Sequence, residues 1–194
     1  MPEGAGPIDM NLGLVPIRVC PAGNPEVVWC RRLDPARALI RNVPMADSGR
    51  GYGDLVLHDG EPKGTRSVEG REVPVFDELQ LLTPGRLHTF KVTITAPTPA
   101  ELEELDASTV DDELQIEDWT SSLRWLCKSC SEGSPHEHCG GREDDGWQEE
   151  RLLGVAAASA ESVQALLADW SRKGDGRALK SIECVLARSR ALAD

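Results

Sequence analysis

Aromatic side chains are scarce in this sequence. Its 194 residues include two Phe and one Tyr, so five Trp supply most of the aromatic surface available to a core. Long apolar runs are missing as well. No stretch approaches the ~20 residues that cross a bilayer, which excludes a helical membrane span. The opening Met1–Pro16 has neither a basic start nor a long apolar segment, so no export signal is expected. Base is absent where acid is densest: nine acids stand between Glu101 and Asp118 without a Lys or Arg. No phosphate loop is present, because Gly49-Arg-Gly-Tyr-Gly lacks the following Lys-Ser/Thr and precedes a strand pattern rather than a helix. No Ser/His/Asp arrangement is readable in the linear order.

What is there is an acidic globular composition. The chain carries 33 Asp and Glu against 21 Lys and Arg, a formal charge of -12, with 40% hydrophobic residues. The charge is uneven. Residues 1–95 hold 11 bases and 12 acids, whereas residues 96–194 hold 10 and 21. A surface this acidic repels a phosphate backbone, so nucleic-acid binding is disfavoured. Most such runs are solvated faces; the sharper reading is a docking surface for a basic protein partner.

The first part of the chain, from Leu14, is punctuated by Asn24-Pro25, Asp59-Gly60, Lys63-Gly64 and Glu69-Gly70. Short apolar stretches lie between them at Glu26–Cys30, Ala38–Val43, Asp54–Leu57 and Val73–Phe76, which predicts a small antiparallel β-rich unit over residues 14–84. Trp29, Asn42-Val43-Pro44 and Gly53-Asp54-Leu55-Val56 together resemble the signature of an uncharacterised family of small bacterial domains, over residues 26–90. That resemblance implies no activity and no catalytic residue. Taken alone, Gly53-Asp54 reads as a turn entering a strand.

The remainder is more regular. Phe90, Val92 and Ile94 share one face of a strand over Leu87–Thr95. Thr98, Pro99 and Glu101 form a capping box that opens a helix carrying Leu102 and Leu105. Trp119–Leu126 alternates like a strand, and Arg151–Ala157 reads as a buried one. Ser159 caps a second helix, whose Val163, Leu166, Leu167 and Trp170 repeat at i, i+3, i+4 and i+7. Gly174 suits the left-handed residue that ends it. Leu179–Ala187 closes the series as a strand with Ile182, Cys184 and Leu186 on one face. Strand, helix, strand, strand, helix, strand is the βαββαβ order, so residues 86–190 are expected to form a ferredoxin-like α+β unit.

Between its two central strands lies the densest chemistry: Cys127-Lys-Ser-Cys130-Ser-Glu-Gly-Ser-Pro-His136-Glu-His138-Cys139. Zinc takes four thiolate or imidazole donors in a tetrahedron. Cys127 and Cys130 can present two sulfurs to one side of an ion, and Gly133 and Pro135 let the chain reverse. Cys139 and His136 then complete the set. His138 is the alternative to His136, although neighbours on an extended chain point to opposite sides. The expected knuckle spans 127–141 and binds Zn2+. Three sulfurs and one imidazole leave no open position, so the site is expected to be structural, with Glu132 and Glu137 beside it but not catalytic. Redox use of Cys127 and Cys130 competes with this reading, but residues 131–135 cannot continue as the helix that lowers a thiol pKa.

Cys20, Cys30 and Cys184 read as small buried hydrophobes, kept reduced. Trp29, Trp119, Trp125 and Trp170 read as core, Trp147 as an exposed contact residue, and His58 and His88 as ordinary strand or surface histidines. The function these features predict is a noncatalytic, zinc-stabilised protein-binding or regulatory module of the bacterial cytosol. The alternatives are an enzyme working between the two units and a Cys-x-x-Cys thiol redox protein.

Overall fold

The computed structural model describes residues 8–20, 23, 25–68, 70–109, 112–122 and 146–189. Within them the chain is a mixed α/β protein rich in strands: a closed five-stranded barrel, then a four-stranded sheet carrying few helices.

The barrel uses β1 (Leu14–Val19), β2 (Glu26–Arg32), β3 (Arg37–Ile40), β4 (Leu55–His58) and β6 (Arg71–Thr83). β5 (Gly64–Val68) forms a hairpin with the first half of β6. Successive barrel strands pair antiparallel in the order β1-β2-β3-β4-β6. An odd number of alternating strands leaves the first and last running the same way. The unit is therefore not wholly antiparallel: β1 and β6 close it in parallel, at Ile17 with Phe76 and Arg18 with Asp77. The short closure is sealed outside by Arg18, whose Nε and Nη2 donate to the two carboxylate oxygens of Asp77 at 2.7 and 2.6 Å.

Period-two alternation fills the interior. Val15, Ile17 and Val19 point inward from β1, Val28 and Cys30 from β2, Ala38 and Ile40 from β3, and Val56 and Phe76 from β4 and β6. Each fully buried aliphatic side chain contributes roughly 1.5–3 kcal/mol by leaving water. Cys30 belongs to this core, and burial pushes its thiol up, away from reactivity. Cys20 is half-buried and Cys184 exposed, so only Cys30 is the buried small residue expected of all three; all are free thiols. Cys184 pairs with Phe90 on the helix side of the sheet, but it lies on the edge strand β10, where it stays exposed.

β7 (His88–Thr95) begins the second sheet. It leads into α1 (Pro99–Ala107), then β8 (Leu114–Asp118), α2 (Trp119–Ser122), β9 (Glu150–Ala157), α3 (Ala160–Arg172) and β10 (Ala178–Leu186). The strand order is β10-β7-β9-β8, with every pairing antiparallel. Phe90, Val92, Ile94, Leu153, Val155 and Ala157 face a helical layer that buries Leu105, Val163, Leu167 and Trp170 against them. The expected caps are present: Thr98 N donates to the Glu101 carboxylate at 2.6 Å, and Ser159 Oγ accepts from Ser162 N at 3.3 Å. Trp170 Nε1 donates to Glu101 O at 2.9 Å and joins α3 to α1.

Several details differ from the sequence expectations. The positive φ that follows α3 falls at Gly176, not Gly174, because Lys173 ends the helix in a right-handed conformation. The strand ends at Asp118, and Trp119–Ser122 is a helical turn rather than part of a strand. Asp118 Oδ1 accepts from Thr120 N at 3.0 Å and Ser121 N at 3.4 Å, which is how an Asp starts a helix. Trp147 is half-buried, not an exposed contact: its Nε1 donates to Ala96 O at 2.7 Å and its ring packs on the sheet core. His58 is buried inside the barrel.

Candidate functional site

Two places concentrate polar chemistry, and both follow from how the sheet meets its neighbours. The first is the junction between the barrel and the second sheet. The second is the root of the connection between β8 and β9.

At the junction, the sheet face opposite the helices presents Leu152, Ala156 and Val185, packed against Val43, Met45 and Tyr52 of the barrel unit. Trp119 spans the two. Its indole lies over Gly154, where an added Cβ would stand 2.2 Å from the ring. Its Nε1 donates to Val43 O at 2.9 Å. The residue must be glycine because a β-strand side chain would occupy the space of the indole.

The Gly53-Asp54 turn does more than reverse the chain. Gly53 takes φ +77°, and Asp54 is fully buried behind it. The Asp54 carboxylate accepts from Gly51 N at 2.9 Å, Gly85 N at 2.7 Å and Arg188 Nη2 at 2.9 and 2.7 Å. Burial pushes this carboxyl up, against the pull of the two amides and the guanidinium. Gly85 approaches so closely that a Cβ there would lie 2.2 Å from Tyr52 O. The barrel, the connection between the units and the chain after β10 are thus held on one carboxylate.

On the other side of the junction, residues 41–45 run between the units. Arg41 Nη2 and the Tyr52 hydroxyl both donate to Asp112 Oδ1, at 2.6 and 2.9 Å. Asn42 Oδ1 accepts from Trp29 N at 3.0 Å, and its side chain also hydrogen-bonds the Glu117 carboxyl. Glu26 Oε2 accepts from Met45 N at 3.0 Å. Burial raises the Glu26 carboxyl to about 7, only partly offset by the Met45 bond, and Glu117 and Asp47 add to the rise. Burial also raises Glu117, with Asp106 and Asp118 adding to it.

At the root of the β8–β9 connection, the Arg151 guanidinium donates to Asp118 and to the Ser121 hydroxyl, and it stacks 4.4 Å from the centroid of the Trp147 ring. Thr120 Oγ1 accepts from Leu152 N at 2.6 Å. Both ends of the connection are therefore bound to the same short piece of sheet.

The sequence-predicted ligands Cys127, Cys130, His136, His138 and Cys139 lie outside the described residues, as do Glu132, Glu137 and Trp125. Among the described residues no group of three or more His, Cys, Asp or Glu side chains is disposed to hold a metal. Glu26, Asn42 and Glu117 were not singled out as chemistry by the sequence pattern. The available signal was Glu117 at the non-core parity of a strand whose Leu114 and Ile116 face the helices. No family model, curated protein or solved structure matches the chain.

Proposed function

We propose that the protein is a noncatalytic protein-binding module whose β8–β9 connection is a zinc knuckle held by Cys127, Cys130, His136 and Cys139, with His138 as the alternative to His136. The observation that carries this reading is the root of that connection. Arg151, Asp118, Ser121 and Trp147 join the described residues on either side of the cysteine and histidine run, 118–121 to 147–151. A bound zinc would then fix the excursion by closing it at its far end, as structural zinc does in small domains. The ion supplies rigidity, and a closed set of three thiolates and one imidazole leaves no position for a substrate.

The second sheet carries this knuckle as a ferredoxin-like unit in our reading. Its order β10-β7-β9-β8, with α1 and α3 as the two crossovers, supports that assignment. The acidic excess of residues 96–194 fits a basic protein partner in the bacterial cytosol and disfavours nucleic acid. Among the described residues no helix is long and apolar enough to cross a membrane. The resemblance of residues 26–90 to small bacterial domains is consistent with the same picture, since Asn42, Val43, Gly53 and Asp54 all serve the junction.

The test compares zinc-loaded and chelated protein for retention of cellular proteins on a column. Zinc-dependent retention that Cys130→Ser abolishes is the expected result. Metal-free protein with a reversible Cys127–Cys130 disulfide would replace this reading with the redox one, and a turnover insensitive to chelation would replace it with the enzyme.

A further inference from the structure

The outer face of the barrel carries two neighbouring arginines, Arg31 and Arg41, and each is covered by a carboxylate from outside the barrel strands. The pairing of β1 with β2 and of β2 with β3 sets Leu14, Arg31 and Leu39 in one row across that face. Trp29 stands two positions from Arg31 on β2, opposite Pro16 of β1. Arg41, just after β3, donates its N–H to Trp29 O at 2.8 Å. These side chains point outward because Val28, Cys30, Ala38 and Ile40 fill the interior.

Arg31 Nη1 donates to both oxygens of Asp9, at 3.1 and 2.9 Å, in the segment before β1. Arg41 is covered by Asp112, from the connection between α1 and β8. The two sides of this second contact are unlike. Its donors are fixed: Tyr52 is 4% exposed among Val43, Trp119 and Ala156, and the Arg41 guanidinium lies 5.1 Å from the centroid of its ring. Its acceptor stands in solvent, since the Asp112 side chain is 71% exposed. Asp112 also fills the fork incompletely. Arg41 Nη2 and the Tyr52 hydroxyl donate to Oδ1 at 2.6 and 2.9 Å, but Nη1 reaches Oδ2 only at 3.5 Å. A carboxylate seated squarely on a guanidinium takes two short bonds. Exposed ion pairs contribute little to stability, so another carboxylate can displace Asp112 at small cost.

Apolar surface adjoins the arginines. Among the described residues six large hydrophobic side chains are exposed, and four of them, Ile8, Met10, Leu12 and Leu14, belong to the start of β1 and the segment before it. That segment runs beside the end of β2, with Met10 N donating to Leu33 O at 2.6 Å and Leu12 N to Arg32 O at 2.9 Å. A cationic head beside an apolar strip is complementary to an extended segment that carries an acid followed by apolar side chains.

We propose that this face is a docking site for an acidic–apolar segment of a protein partner, and that Asp112 is its internal stand-in. The incoming carboxylate takes the place of Asp112 on Arg41 and Tyr52, and the apolar side chains that follow it cover Leu14 and Leu12. The site is independent of the zinc knuckle and of the basic partner proposed for residues 96–194.

Tyr52 is the one tyrosine of the chain, so an isotope label on the tyrosine ring reports on this site alone by NMR. The probe is the blocked peptide acetyl-Glu-Leu-Val-Leu-amide, titrated into the full chain at about 0.15 M salt, where negative charge elsewhere is screened. Asp112→Ala removes the stand-in, and should bind the peptide about tenfold more tightly than wild type and move the Tyr52 signal. Adding Arg41→Met to that variant should abolish the gain, as should Gln in place of Glu in the peptide. Equal affinity of wild type and Asp112→Ala, an unmoved Tyr52 signal, or a gain that survives the Gln peptide overturns the proposal. Inorganic phosphate that binds as tightly as the peptide replaces it with a simple anion site. If Asp112→Ala does not fold, Asp112→Asn, the neutral isostere, must show the same gain, and its failure to do so overturns the proposal alone.

Discussion

Arg188 donates through one Nη2 to both carboxylate oxygens of Asp54, at 2.9 and 2.7 Å, across 134 positions of sequence. Asp54 is fully buried and Arg188 nearly so. The pair brings the chain beyond β10 back to the barrel at the turn where Gly51 and Gly85 also donate. It makes the barrel and the sheet mechanically one junction rather than two beads on a linker.

Removing one partner of such a pair strands the other. Asp54→Ala leaves the Arg188 guanidinium and two amide donors buried without their acceptor, and should cost about 3–5 kcal/mol of unfolding free energy. Arg188→Met keeps the apolar stem and should cost less. Urea unfolding followed by circular dichroism measures both. Equal, negligible losses would mean that the junction does not depend on this carboxylate.

Two glycines of the junction should respond differently to the same methyl group. At Gly85 the added Cβ would lie 2.2 Å from the Tyr52 carbonyl oxygen, so backbone must move. At Gly154 it would lie 2.2 Å from the Trp119 indole, a side chain that can tilt at the expense of its bond to Val43 O. Gly154→Ala should therefore cost about 1–3 kcal/mol, the range of an overpacked core, and Gly85→Ala should cost more. Thermal unfolding ranks them, and the reverse order would contradict the packing described.

The barrel interior carries its own pH dependence. His58 is buried, and its Nδ1 lies 3.1 Å from Asp59 O, an acceptor, so Nδ1 bears the proton and Nε2 holds the lone pair. Burial, with the Arg32 charge, lowers its pKa below the ordinary value of 6.5. The unfolded chain then binds the extra proton first. The stability contribution is present above pH 6.5 and is lost as the pH falls through the depressed value. His58→Asn, which retains a donor for Asp59 O, should flatten the acid side of the stability profile. A profile as steep as wild type below pH 6.5 would assign acid sensitivity to other groups.

Much of the second sheet was legible because local signals agreed. The capping box at Thr98 and Glu101, the Ser159 cap and the Val163-Leu167-Trp170 stripe each specify a helix without tertiary help. Phe90, Val92 and Ile94 likewise fixed which face of β7 is buried. β8 was not legible, because Glu113, Glu117 and Asp118 surround Leu114 and Ile116 and the stretch reads as solvated acid. Its Glu117 is tolerated by the half-buried junction, which exists only once the barrel is in place. Trp119 misled for a related reason. Alternation continues past Asp118, but the Asp118 carboxylate caps a helical turn there and sends the indole over Gly154. The barrel closure was hidden as well, since pairing of Ile17 with Phe76 is a property of strand count and not of either strand's composition.

The candidate site divides along the same line. The proposed donor set Cys127, Cys130, His136 and Cys139 is a sequence reading, because metal geometry constrains ligand spacing within one loop. Asp54 and Arg188 are brought together by the packing of two units, and nothing in their local sequence announces a partner.

The zinc knuckle is tested most directly by elemental analysis of the full chain purified without added metal. About one zinc per chain is expected, released by Cys127→Ser or Cys139→Ser with the fold of the barrel and sheet retained. Folded wild-type protein that contains no zinc and takes none up when it is offered would contradict the proposed clamp.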